Sequence, residues 1–278
     1  MLEETIFKIL IISSLCVVIG SLVIIIFLVV YNGLPTLSIE MFTQTSTGGY
    51  YLGRGGGILN AILGSLLLAI PATIFAYILG LGIALYLQRE FSHPGFASLI
   101  RLILDILWGI PSIVYGIFCL MIMIIVGIGA SLLAGILALT LLELPIITRY
   151  MDESIKMVHP ELKEGSYSLG STKIETAFKV VRKQAFPGIL AGMLLGLGRG
   201  IGDAASILFT AGFSDNIPGS IFDSTAALPT MIFHLFSSPI PVVRQKAYAA
   251  AFILFIIVLF ISILSRLFSK RYMKYVIK

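Results

Sequence analysis

The chain has 278 residues, of which 58% are hydrophobic and 12% charged, with a net charge of +5. A soluble domain of this size carries about a quarter charged residues. The apolar surplus here falls in long uncharged runs, which excludes a soluble domain and leaves a membrane protein. The basic excess is then a marker of topology rather than of affinity for nucleic acid.

Residues 6–30 read as a first membrane span, uncharged from residue 9 onward. The run Ser13-Ser14-Leu15-Cys16 resembles a lipoprotein cleavage site. It lacks a small residue before the cysteine, and the apolar stretch continues past it, so a retained helix is expected. A second span falls within residues 58–87, with a kink expected at Pro71. Residues 106–142 contain no charge, which is about 55 Å of helix at 1.5 Å per residue and too long for one crossing. The break is expected at Gly127-Ile128-Gly129, giving spans three and four. Glu143 and Pro145 at the inner end of span four are read as a kink or a point that meets water. A fifth span starts near Gly188 and a sixth covers residues 247–268. The fold class is therefore all-α, a polytopic protein of about six transmembrane helices.

The basic residues fall on one side of this arrangement. Lys8, Arg89, Arg101, seven residues between Arg149 and Lys183, and five in the tail from Arg266 share one face. Only Arg54, Arg244 and Lys246 lie on the other. By the positive-inside rule both termini are cytoplasmic. The long segments between spans are then a cytoplasmic loop over residues 149–187 and an outer segment over residues 212–246. In the outer segment Pro229 opens a short apolar helix through Met231, Ile232, Phe233, Leu235 and Phe236, expected against the outer bilayer face.

The cytoplasmic loop carries strong local signals. Pro160 suits a first helical position, Glu161 complements the positive helix end, and Gly170 is a C-terminal stop. Thr172-Lys173-Ile174-Glu175 fits a capping box that starts a second helix with Ile174, Ala177, Phe178 and Val181 at helical spacing. On these signals alone, an ordinary structured loop and a docking element are equally good readings.

Span five carries charge at membrane depth, where ionisable groups are costly unless paired or wet. Arg199 and Asp203 are four apart and expected on one helical face, a stripe extended by Ser206 and Thr210. They either neutralise each other or form a polar site. Arg offers a fork of donors suited to a tetrahedral oxyanion, and Asp offers an acceptor for a protonated one. Gly188, Gly192, Gly196 and Gly200 recur every four residues and imply close packing against another helix, in this chain or in a partner subunit. Arg101 and Asp105, four apart, read as an interfacial pair, and Trp108 as packing. Cys16 and Cys119 read as buried spectators, and His93, His159 and His234 are too dispersed to suggest a metal site.

Three segments carry a resemblance. Glu164-Gly165-Ser166-Tyr167-Ser168-Leu169-Gly170 resembles the EAA motif of ABC importer permeases, although the family's later Leu-Pro is Arg182-Lys183 here. The segment from Gly198 to Thr210 resembles the G-R-x-x-G-E-T-A-P-L-L-F-T segment of the phosphate-import permeases in that family. Asp203-Ala204 stands for its Glu-Thr and Ser206 for its Pro. Asp105 to Val114 is similar to the same group's D-x-L-x-G-x-P-S-I-V segment, with Ser112 at its Ser.

The resemblance implies a type I importer permease. Residues 1–57 would be a first helix and outer loop, and residues 58–278 the permease core. Glu164, Gly165, Ser166, Leu169 and Gly170 would form a coupling helix seated on an ATPase. Arg199, Asp203, Ser206, Thr210 and Ser112 would line the substrate path. It further implies a PstC-like second permease, a PstB-like ATPase dimer that binds ATP and Mg, a PstS-like external phosphate-binding protein, and a prokaryotic plasma membrane. No cofactor is expected in this chain. Gly53-Arg54-Gly55-Gly56-Gly57 lacks the Lys of a phosphate loop, so the chain is expected to be non-catalytic. Molybdate or sulfate remain alternative cargoes, an ATP-independent transporter is a further alternative, and a scaffold without transport a third.

Overall fold

The computed structural model describes residues 2–47 and 49–272, among which there is no strand; Lys274 and Lys278 of the basic tail lie outside them. The helices in chain order are α1 (Leu2–Gly33), α2 (Ile39–Thr43), α3 (Leu59–Tyr86), α4 (Pro94–Gly109), α5 (Ser112–Ile125) and α6 (Leu132–Lys156). They continue as α7 (Pro160–Ser168), α8 (Lys173–Glu175), α9 (Arg182–Gln184), α10 (Phe186–Gly202), α11 (Leu228–Phe236) and α12 (Pro241–Tyr272). Residues Thr176–Val181 between α8 and α9 form a π-type turn.

Four helices, α1, α3, α6 and α12, are long and apolar enough to cross a membrane, and two bent pairs bring the count to six spans if each pair is one. The spans expected from the sequence are thus present, but the third differs. Its break falls at Ile110-Pro111, where α4 and α5 meet at 98°. Proline lacks an N–H and holds the residue before it extended, and Ile110 has ψ 132°. As a result α4 is set at a steep angle to α5 instead of continuing it. The Gly127 turn also exists, between α5 and α6, and Gly127 has φ +80°.

Burial identifies the centre of the molecule. In α6, 72% of the most apolar stretch is buried, against none in α1. α3 packs along α6 for most of its length, and α10 lies on α6 and α12. An outer cluster joins Met41, Tyr50 and Ile58 to Leu228, Met231 and Leu235. A middle cluster joins Leu68, Ala72 and Leu139 to Ile207, and an inner one joins Leu85, Met151 and Ile155 to Val181 and Ile189. α11 opens at Pro229 as its sequence implies. It docks Met231 and Leu235 into the outer cluster and leaves Phe233 and Phe236 exposed.

The α10 glycines pack within this chain. A Cβ on Gly188, Gly192, Gly196 or Gly200 would strike Ser154, Tyr150, Ile147 or Glu143 of α6 respectively. Both ladders step by one helical turn in opposite directions, so the two backbones run antiparallel in close contact.

Candidate functional site: the end of α10 and the helix α7

The structure revises the stripe expected on span five. α10 ends at Gly202, and Asp203 is extended, with φ −81° and ψ 124°. Arg199 and Asp203 therefore do not share one helical face and form no ion pair. Three glycines in the last five residues of α10, at 198, 200 and 202, weaken helix propensity there. Asp203 then competes for the following backbone: its Oδ2 accepts from the Ser206 N–H at 2.8 Å and from the Ser206 hydroxyl. Thr210 Oγ1 donates to the Ser206 carbonyl at 2.8 Å. Ser206 and Thr210 are completely buried, so they hold the turn in place.

Among the described residues, Arg199 makes no contact with this turn that a hydrogen bond or ion pair records. It is exposed on the surface of this chain and borders a cavity of about 430 Å³ with Trp108, Leu195, Ser262 and Ser265. Trp108 thus borders the Arg199 cavity and also packs against Tyr150. Ser112 opens α5 one turn before Gly116, and a Cβ on Gly116 would collide with the Ser206 carbonyl. The structure therefore brings Gly116 of α5 onto the Asp203–Ser206 turn at the end of α10, with Ser112 one helical turn away. Glu143 stands behind that junction. It is completely buried, its Oε2 is 2.7 Å from Thr73 Oγ1, and its Oε1 has no hydrogen bond.

The second corrected pairing concerns Arg101 and Asp105, which do not bond each other. Arg101 Nε lies 2.7 Å from Asp152 Oδ2, and Arg149 Nε lies 2.7 Å from Asp105 Oδ1. Asp152, fully buried, also holds Lys156 at 3.0 Å and Arg149 at 3.3 Å. The reading of the sequence missed Asp152. The signal available was the run Arg149, Asp152, Glu153, Lys156, whose i,i+3 and i,i+4 spacings put opposite charges together.

Next to this network lies the loop between α6 and α10. α7 begins with Pro160 in its first turn and is ended by Gly170 at φ +83°, a left-handed conformation that glycine adopts without strain. Glu164, Gly165, Leu169 and Gly170 are exposed, Leu169 at 89%. Ser166 is the exception: it is buried, and its hydroxyl is 2.9 Å from Thr176 Oγ1, which fixes α7 to the π-type turn. The capping box is complete, since Thr172 Oγ1 accepts from Glu175 N at 3.3 Å and Glu175 Oε2 accepts from Thr172 N at 3.1 Å. The Thr172 backbone N–H, then Lys179 and the Thr172 hydroxyl, hold the Glu175 carboxyl down at about 2. Burial pushes the Glu90 carboxyl up, but the hydrogen bond and charge of Lys163, at 2.8 Å, outweigh it and leave Glu90 below the usual carboxylate range. That pair ties α7 to the turn after α3. Ala177 and Val181 face inward, whereas Ile174 and Phe178 are exposed.

A bundle of membrane spans with a short helix standing off one end, and a polar junction at the end of a broken span, defines a membrane permease subunit. Residues 77–274 match the family described as binding-protein-dependent transport system inner membrane component, and the chain belongs to that family. A phosphate transport system permease protein PstA of Yersinia pestis is 34% identical over 248 residues, which is 89% of this chain and 83% of that protein. A Mycobacterium leprae protein of the same name is 39% identical over 206 residues, 73% of this chain and 67% of that one. Two solved structures show the fold. One is an inward-facing MetNI methionine ABC transporter, with TM-score 0.61, 19% identity, and 85% of this chain and 99% of that chain covered. The other is a bacterial ABC transporter importing alginate, with TM-score 0.63, 14% identity, and 97% and 96% covered.

Proposed function

We propose that this chain is a permease subunit of an ATP-driven importer and that its cargo is phosphate. The observation that carries the site is the state of Arg199. Arg101 and Arg149 are tied to carboxylates, whereas Arg199 has none among the described residues, so its five donors are free for an oxyanion. Asp203 adds discrimination. Its Oδ2 is occupied by Ser206, which leaves Oδ1 to accept the O–H that phosphate retains at neutral pH and sulfate does not. An anion without that hydrogen would leave a carboxylate facing negative charge, which favours phosphate by penalising its competitors. The cargo named for the PstA relatives agrees with this chemistry.

Transport then requires partners: a second permease, an ATPase dimer carrying ATP and Mg, and an external phosphate-binding protein. Exposed Leu169, with Glu164 and Gly165 beside it, is the surface offered to the ATPase, and both termini lie on that cytoplasmic side. ATP binding and hydrolysis move α7, and the spans alternate between outward and inward access. This chain supplies the path and the docking helix and performs no hydrolysis. The test is uptake of labelled phosphate, sulfate and molybdate into vesicles containing the assembled complex, with and without ATP. Wild type should take up phosphate alone and only with ATP, and Arg199→Gln should lose uptake while still assembling. Uptake of another oxyanion in preference would refute the cargo. Indifference to ATP would refute the importer.

A further inference from the structure

Two carboxylates are completely buried among the residues described, Asp152 and Glu143. Asp152 is surrounded by Arg101, Arg149 and Lys156. Glu143 has no cation. Its Oε2 meets the Thr73 hydroxyl at 2.7 Å, and its Oε1 is unpartnered and rests against α10 where Gly200 lacks a side chain. Neither α3 nor α5 contains a charged residue, α6 has none but Glu143 from 132 to 148, and residues 247–265 of α12 have none. The ionisable groups near it on the α10 side are Arg199, which borders the cavity with Trp108, and Asp203, itself an acid bound to Ser206. An ionised carboxylate cannot be accommodated in apolar surroundings without a countercharge, whereas the neutral acid can.

We propose that Glu143 is a proton-binding site: its carboxyl is the neutral acid in this state, with Oε2 accepting from the Thr73 hydroxyl at 2.7 Å, and its proton is released when α10 parts from α6. The neutral form leaves the unpartnered Oε1 against the Gly200 backbone without a charge that would need an answering cation. Because Gly196 and Gly200 put no side chain over the carboxyl, the α10 backbone alone seals it from water. When the helices separate, water enters, the O–H bond breaks, the proton passes to water, and the electron pair stays on the carboxylate. A site that holds its proton more tightly when sealed makes acid pH favour the sealed arrangement and alkaline pH the parted one.

The release step rests on the transport cycle proposed above, whereas the protonated state in this arrangement does not. The experiment is infrared difference spectroscopy of the assembled transporter. A protonated-carboxyl band should appear, shift on exchange into heavy water and vanish in Glu143→Gln, whose amide reproduces the acid's hydrogen bond and keeps the fold. Thr73→Val leaves Glu143 in place but removes the hydroxyl that donates to its Oε2, and should move the band to higher frequency. A non-hydrolysable ATP analogue should diminish the band. No band removed by Glu143→Gln, or a band indifferent to Thr73→Val, overturns the site. A band that persists unchanged through a cycle that delivers cargo overturns the release. Absence of ATP-dependent uptake would count against the proposed function and leave the first two outcomes to decide the site.

Discussion

Replacing Gly192 by alanine tests the packing that holds α10 on α6. The new Cβ would lie 2.6 Å from Tyr150 Cβ, an atom fixed to the α6 backbone, where ordinary contact begins at 3.4 Å. The helices must part locally by that difference of 0.8 Å. Overpacking of this kind costs about 1–3 kcal/mol, and alanine returns about 1 kcal/mol of helix propensity over glycine. The net loss is therefore about 0–2 kcal/mol. Gly82 in α3 is the internal control: the same substitution meets nothing within 4 Å, so it should gain up to about 1 kcal/mol from propensity alone. The assay is equilibrium unfolding of the purified protein in mixed micelles titrated with SDS, followed by loss of helix content. Midpoints should move in opposite directions. Equal shifts in the same direction would refute close helix contact as the reason for the glycine ladder.

Asp152→Ala should destabilise the protein by about 3 kcal/mol, the lower end for breaking a buried ion pair, because Arg101 keeps 23% of its side chain in solvent; the same micelle titration reads it. Thr172→Ala removes the N-cap and should cost about 1 kcal/mol locally, seen as faster amide exchange at Glu175. The capping box also predicts a pH response. With Glu175 held at about 2, its contribution is complete above the usual carboxylate range and is lost only as pH falls toward about 2. Its carboxyl carbon should show no NMR titration between pH 7 and 4 while exposed glutamates titrate. Leu169→Asp, at the 89% exposed end of α7, should leave stability within about 0.5 kcal/mol and, on the docking role proposed for α7, abolish co-purification with the ATPase.

What the sequence revealed and concealed follows from the range of the forces involved. Spans are written in hydropathy, and the start of α7 at Pro160, its stop at Gly170 and the box at Thr172 are written in residues at most three apart, so each was legible. The 98° corner left a local trace in Pro111 that a search for glycine breaks passed over. The end of α10 is a competition that helical spacing cannot show. Four residues between Arg199 and Asp203 suggest one face only if the helix continues, and Asp203 ends it by binding Ser206. The partners of Arg101 and Asp105 lie on α6, 51 and 44 residues away in sequence, where charge spacing carries no information.

The corner at Ile110-Pro111 has a mechanical meaning. α4 is clamped to the C-terminal end of α6 by Arg101 and Asp105, through Asp152 and Arg149. From Arg101 to the corner is about 12 Å of stiff helix at 1.5 Å per residue. Beyond it stands α5, with Ser112 at its foot and Gly116 against the Ser206 turn. Across the corner the Tyr115 hydroxyl of α5 donates to the Leu107 carbonyl of α4 at 2.7 Å, so the two arms hold their angle and turn together. The assembly has the form of a bell crank: a small displacement where α4 is bolted to α6 would turn α5 against the Ser206 backbone.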